Sequence, residues 1–319
     1  MTAVVHRSPE VLGNDGVPVT QAAKVVGDVR LPRFGWDAAT FKAAARAHDL
    51  CIHCAAAVRF DLPEAEHRAI NVGGTANAIA FARAGGIPLI HVSTAYVCGT
   101  RDGPIGEDDP LPRDGFNNGY EASKAAAEAL VETSGVPFVI ARPSIVVGDS
   151  GHGAIRLFDT IYAMLGLLAR GRLRELPARA GATLDLVPID HVAGGIVDLA
   201  EGWARARGRR VHLVAERPTA VADFVRAIAR QPGWAAPRVV DAAGFDPARL
   251  PPRERRLQLR VAAQYQSYFQ RSPRFEARAL AELAGRLCPA TDEYFLGRLA
   301  GYCARAGFLP GPDAQRISG

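Results

Sequence analysis

Short apolar runs alternate with longer amphipathic stretches along the first half of the chain. TAVVH (residues 2–6), KVVGDV (24–29), DLCIHCA (49–55), IPLIHVS (87–93) and VPFVIARPS (136–144) are short and mostly apolar, the pattern of strands buried on both faces. DAATFKAAARAH (37–48) and EAEHRAINVGGTANAIAFARAG (64–85) predict helices between them, and a polar, Pro/Gly-rich loop from about Gly99 to Gly115 leads to a third. That third helix is alanine-rich, with Ala, Glu and Leu as strong helix formers. Strands and helices in this alternation predict an α/β fold with a doubly wound parallel sheet covered on both faces.

After Gly153 the rhythm changes. IRLFDTIYAMLGLLARG (155–171) predicts a broad apolar helix, LDLVPIDHVAGGIVDLA (184–200) a strand followed by a helix, and RRVHLVAE (209–216) another strand. From about Pro251 to Leu309 the pattern is helical and Arg-rich, with exposed-looking aromatics such as Tyr265, Tyr268 and Phe269. The expected division is a nucleotide-binding domain over residues 1–150, then a smaller substrate lobe with a C-terminal helical cap over 151–319. There are no internal repeats.

Composition adds mainly exclusions. The 319 residues are 48% hydrophobic and 22% charged with a net charge of +5, ordinary values for a globular protein. No basic cluster is interleaved with aromatics, so nucleic acid is not an expected partner. The basic balance suits an anionic cofactor or a phosphorylated substrate carrier. Five cysteines spread over this length do not form a disulfide framework. Cys51 and Cys54 in CIHC imitate a metal or redox pair, yet residues three apart on a strand point to opposite faces, so no metal site is expected. No signal sequence is visible and no apolar run reaches the ~18 residues of a membrane span, which implies a cytoplasmic protein.

The candidate chemistry lies at the head of the alanine-rich helix, in GFNNGYEASKAAAEAL (115–130). Tyr120 and Lys124 are four residues apart, so both side chains reach from one helix face. With seven tyrosines and only three lysines (Lys24, Lys42 and Lys124), chance supplies roughly 0.07 such pairs. Ligands of doubly wound sheets sit beyond the carboxyl ends of the strands. Those ends carry His6 and Arg7, Asp28 and Val29, the small Ala55 and Ala56, Ser93 and Thr94, and Pro143 and Ser144.

Together, HVSTAYVCG, YEASK, ARPSIVVG, LDLVPIDHVA, NVGGT and GDV resemble the extended short-chain dehydrogenase/reductase family, over at least residues 2–215. HVSTAYV, GDSG and the C-terminal RLCPATDEYFLGRLAGYCARAGFL are most similar to its fatty acyl-CoA reductase and thioester reductase-like (male-sterility-type) branch. The resemblance implies a Rossmann-like fold with Tyr120 as general acid/base. It implies that Lys124 lowers the tyrosine pKa and binds the nicotinamide ribose, while Thr94 donates to the substrate oxygen and Asn71 anchors a water or turn beside the lysine. Asp28, Val29, Ala55 and Ala56 would line the adenine and pyrophosphate side, Pro143 and Ser144 the nicotinamide side. Arg7, with no acid until Glu10, favours NADP(H) over NAD(H). The implied substrate is an acyl thioester or derived aldehyde, carried on coenzyme A or a carrier protein.

The family's first strand and glycine-rich phosphate loop have no counterpart; the glycines of VLGNDGVPV run into a proline and read as a turn. TAVVHRS corresponds to the second strand, and the expectation is a start assigned about one βα unit late or a shortened chain. A chain complete as written would leave two inner strand edges unpaired and bind dinucleotide poorly.

Alternatives share these residues. A nucleotide-sugar epimerase or dehydratase, or a steroid-type dehydrogenase, uses the same Thr, Tyr and Lys; a non-catalytic binding protein would keep the fold alone. GDSGHG imitates a serine-protease loop but follows a parallel-sheet strand. His91 and His191 are expected as satisfied structural histidines, and Asp185 and Asp190 as turn-ordering groups with Asp190 a helix N-cap. The apolar helix from Ile155 to Leu168 would line an acyl tunnel, fill the core, or form a subunit contact in a homodimer.

Overall fold

A computed structural model describes residues 1–6, 8 and 10–311. The apolar runs become β1 (Thr2–Val5), β2 (Ala23–Val26), β3 (Cys51–His53), β4 (Leu89–Val92), β5 (Phe138–Pro143), β6 (Ile145–Val147), β7 (Leu186–Pro188) and β8 (Arg210–Leu213). The main sheet runs β8-β5-β4-β3, all parallel, with Leu89 opposite both Phe138 and Cys51. β6 pairs with β7, and β1 with β2, as separate parallel pairs. β8, from late in the chain, returns to the main sheet beside β5.

Alternate residues of β4 and β5 point to opposite faces, and each face has its own helices. Leu89 and Ile140 pack with Phe41, Ile79 and Val131, on α1 (Ala38–Arg46), α2 (Gly74–Gly85) and α3 (Gly119–Thr133). Ile90 and Val139 pack with Val192, Leu199, Leu280 and Leu283 on the other face. The strand residues Leu89, Ile90, Val139 and Ile140 are fully buried, which is why these runs show no polar alternation. A further core joins α4 (Ile161–Ala169), α6 (Val221–Ala229) and α8 (Glu293–Arg305), while α5 (Ile189–Glu201) and α7 (Arg278–Ala284) cover the sheet.

Local chemistry sets the helix ends. Asp37 caps α1 by accepting from Ala39 N and Thr40 N at 2.9 Å each. α2 ends at Gly86 in the left-handed region (φ 66°), a conformation glycine adopts without strain. Gly85 lies directly against the Ala45 backbone, where an added methyl would overlap the carbonyl. Gly85→Ala is therefore expected to cost about 1–3 kcal/mol, read as a lower midpoint of urea unfolding with unchanged slope.

β1 and β3 each carry one edge with no strand beside it among the described residues. His48 Nε2, 2.9 Å from Thr2 Oγ1, ties the start of β1 to the approach of β3. Several expectations need correction. The helix expected over 155–171 begins only at Ile161; residues 155–160 are irregular, and Thr160 has φ 45°. The helix expected over 64–85 widens into a π-helical stretch at Arg68–Gly73. Tyr268 and Phe269 are buried rather than exposed. Part of the loop expected before α3 forms a short strand, Gly103–Ile105, paired with Pro273–Phe275. Among the described residues no helix is long and apolar enough to cross a membrane, and no cluster of His, Cys, Asp or Glu can hold a metal ion.

Candidate active site

β4 delivers Thr94 just past its carboxyl end, buried, with Oγ1 accepting from Tyr96 N at 3.2 Å. Asn118 caps α3, its side chain accepting from Glu121 N at 2.9 Å, which places Tyr120 in the first helical turn. Thr94, Tyr120 and Ser144 line one cavity of about 450 Å³, whose wall includes Phe60, Ile145 and Ile155. Burial pushes the Tyr120 phenol up to about 12, against the nearby Thr94 hydroxyl, which favours the ionised form.

Lys124 lies one turn further along α3, fully buried. Its Nζ donates to Val92 O at 2.7 Å and stands 3.5 Å from His91 Nε2. Burial brings it down to about 8, while the anionic Glu128 opposes that fall. Lys124 is not among the groups that act on the phenol here: its ammonium faces the end of β4, and burial moves the phenol up.

Asn71 holds the neighbourhood together from the π-helical stretch. Its Oδ1 accepts from Ala57 N at 2.7 Å, and its Nδ2 donates to Ala57 O at 3.1 Å and to Ser123 Oγ at 2.8 Å. The segment after β3 is thereby fixed to the residue beside Lys124. Ala55 and Ala56 precede this anchor; Ala55 is exposed. At the end of β2, Asp28 bonds Arg30 and stands 3.2 Å from His6 Nε2, with Arg30 holding the carboxyl down at about 2. Val29 O accepts from Asn77 Nδ2 at 2.7 Å. Asp28, Val29, Ala55 and Ala56 lie at strand ends outside the cavity. Arg7 lies outside the described residues.

Pro143 ends β5, and Ser144 Oγ donates to Asp185 Oδ1 at 2.5 Å; Asp185 also accepts from Ala215 N at 2.9 Å. Burial raises this carboxyl to about 6. Asp190 does not cap α5, whose N-cap is Pro188; it accepts instead from Ser150 N and Oγ at 2.8 and 2.6 Å. GDSG thus folds onto the start of α5. His91 and His191 are not fully satisfied: their Nδ1 atoms are buried without partners among the described residues.

Four contributors were not visible as site residues. Tyr268 lines the cavity, and its hydroxyl donates to Glu121 Oε1 at 2.6 Å, joining the C-terminal part of the chain to α3. Arg271 lies between the Tyr96 and Tyr268 rings, 5.2 and 5.4 Å from their centroids. Asp159 and the strained Thr160 also reach the cavity wall. A break in the apolar periodicity at Asp159-Thr160 was the one available signal.

The nicotinamide end of a dinucleotide fits these residues: two hydroxyls converge on a largely apolar cavity, a buried ammonium stands behind them, and the neighbouring Ser93 Oγ has no partner among the described residues. At the pyrophosphate end, no glycine-rich turn joins a strand to a helix among the described residues. Fold and site are those of the extended short-chain dehydrogenase/reductase class, with a Rossmann-like nucleotide-binding architecture. Within that class, the chain belongs to the male sterility protein family, whose pattern matches residues 18–196.

The chain is 29% identical over 189 residues to the aldehyde reductase lnaA of Aspergillus flavus, covering 54% of this chain and 18% of that protein. It is 28% identical over 305 residues to a linear gramicidin synthase of Brevibacillus parabrevis, covering 89% of this chain and 6% of that protein. The chain therefore spans less than a fifth of either relative. Its structure is similar to the terminal R domain of the myxalamid PKS-NRPS biosynthetic pathway, with a TM-score of 0.77, 26% identity, and coverage of 91% of this chain and 77% of that one.

Proposed function

We propose that the protein reduces an acyl thioester, or the aldehyde derived from it, with NADPH as the electron donor. The observation that carries this reading is the convergence of the Thr94 and Tyr120 hydroxyls on an apolar cavity with Lys124 buried behind them. An apolar wall accepts an acyl chain more readily than the polyhydroxylated ring of a nucleotide sugar. Likeness to an aldehyde reductase and to a terminal R domain supports the same substrate class, with coenzyme A or a carrier protein as the thiol.

Each group has a distinct part. Tyr120, protonated at neutral pH because burial keeps its pKa near 12, donates its proton to the carbonyl oxygen as negative charge develops there. Thr94 donates a hydrogen bond to that oxygen. Lys124 holds the ribose, Asn71 fixes the segment beside it, and Pro143 and Ser144 border the nicotinamide. A reduced nicotinamide supplies the hydride when bound. Asp28, Val29, Ala55 and Ala56 face the adenosine side, and the lack of an acid between β1 and Glu10 favours the 2′-phosphate. In this reading residues 1–150, joined by β8, hold the dinucleotide, and the rest of 151–319 frames the substrate.

The test follows NADPH oxidation at 340 nm with hexanoyl-coenzyme A and hexanal as substrates, about that wavelength being where the reduced nicotinamide absorbs. Oxidation with either substrate, faster with NADPH than with NADH, is expected; no oxidation with both refutes the reductase reading. The pH profile carries a second expectation. Lys124 is charged below about 8 and neutral above it, so kcat/KM for NADPH falls as pH rises through that value. Lys124→Arg, which stays charged, shifts the fall to higher pH.

A further inference from the structure

Asp159 is a carboxylate in an unusual place. It lies on the wall of the same cavity as Thr94 and Tyr120, where most of the lining is apolar. Its side chain forms no ion pair, and no hydrogen bond to another residue, among the described residues. Half-burying an acid without a partner is costly, and the cost disappears when a cation arrives.

The surroundings favour a particular cation. Phe60, on the same wall, has the Tyr120, Tyr265 and Tyr268 rings around it, with centroids 5.9, 5.3 and 5.6 Å away. Tyr268 already carries the Arg271 guanidinium, but Phe60 and Tyr120 border the cavity; aromatic rings attract an ammonium, and a carboxylate completes the site. Burial is the main reason the Tyr120 and Tyr265 phenols resist ionisation, and the negative charge of nearby Asp159 adds to it. Thr160, next in the chain, has φ 45° and ψ −112°, a backbone outlier for a β-branched residue. That strain delays the start of α4 until Ile161, and so keeps the carboxylate on the cavity wall. Arg156 also borders the cavity, but it is exposed and does not pair with Asp159.

We propose that Asp159 is a specificity-determining residue which, with the aromatic wall, selects acyl chains that carry a protonated amine. The proposal deepens the reductase reading and rests on it for the reaction, but the amine site is measurable by binding alone.

The experiment compares aminohexanol with hexanediol by calorimetry at neutral pH, on the full chain and on Asp159→Asn and Asp159→Leu. Asp159 is partly exposed and, among the described residues, unpartnered, so both variants are expected to fold; circular dichroism checks this. Aminohexanol should bind the unaltered chain roughly 10- to 100-fold more tightly, the worth of a hydrogen bond to a charged group. Both substitutions should abolish that preference. Equal affinities in the unaltered chain, or a preference that survives in both variants, overturns the proposal. Turnover of aminohexanoyl-coenzyme A and hexanoyl-coenzyme A separates the two readings. Amine-selective binding without any NADPH oxidation leaves the amine site standing and removes the reductase. Oxidation of both thioesters with equal kcat/KM removes the amine selection and leaves the reductase.

Discussion

Replacing Tyr120 by phenylalanine should lower kcat for thioester or aldehyde reduction by about 10²–10⁴-fold, the usual worth of a positioned general acid. The substitution deletes one oxygen and keeps the ring, so the packing of Tyr120 against Phe60 remains and the fold should not change. KM should move little, since the lost interaction belongs to the developing charge on the oxygen rather than to the acyl chain. Thr94→Val provides the comparison. It removes the second donor to the same oxygen, and the double variant should lose less than the product of the two single losses, because neither group acts well without the other. Near-normal turnover in Tyr120→Phe would show that the proton comes from elsewhere.

The profile with pH follows from the same geometry. Burial holds the phenol near 12, so Tyr120 remains a proton donor throughout the range in which the protein is assayed. The alkaline limb therefore belongs to Lys124, whose buried ammonium titrates near 8. An alkaline limb that survives unchanged in Lys124→Arg would assign it to another group.

How much of this could be read without coordinates depends on the range of the interactions. The spacing of Tyr120 and Lys124 puts both on one helix face by geometry alone, and parallel strands deliver Thr94 and Ser144 to the same edge. The doubly wound sheet was legible for the same reason: runs such as LIHV and FVIARP pack on both faces and so lose their polar alternation. The direction of the Lys124 ammonium was not legible. It depends on the Val92 carbonyl and on His91, both brought close only by the packing of α3 on β4. Tyr268 meets Glu121 across 147 positions of chain, and no local pattern foretells such a pair. Asp159 was hidden differently: despite the polar Asp159-Thr160 step, the apolar run around it reads as helix, and a positive φ at Thr160 takes it out of one.

The largest stability effect should come from behind the site, at Glu128. This residue sits on α3 two turns beyond Tyr120 and pairs with Arg142 of β5, with Nη2 to Oε2 at 2.7 Å and Nε to Oε1 at 3.0 Å, both side chains buried. Arg142 Nη1 also donates to Glu107 O at 3.0 Å. Glu128→Ala leaves a guanidinium without its counter-ion in the interior and should cost about 3–5 kcal/mol, seen as a lower urea midpoint. The double variant Glu128→Leu with Arg142→Met removes both charges and should recover most of that loss, because two apolar side chains carry no desolvation cost. The same substitution reaches the reaction. The Glu128 anion supports the ammonium of Lys124, so in Glu128→Ala the lysine should lose its proton below about 8 and the alkaline fall in kcat/KM for NADPH should move to lower pH. A destabilised variant whose alkaline limb stays in place would restrict Glu128 to holding α3 against the sheet.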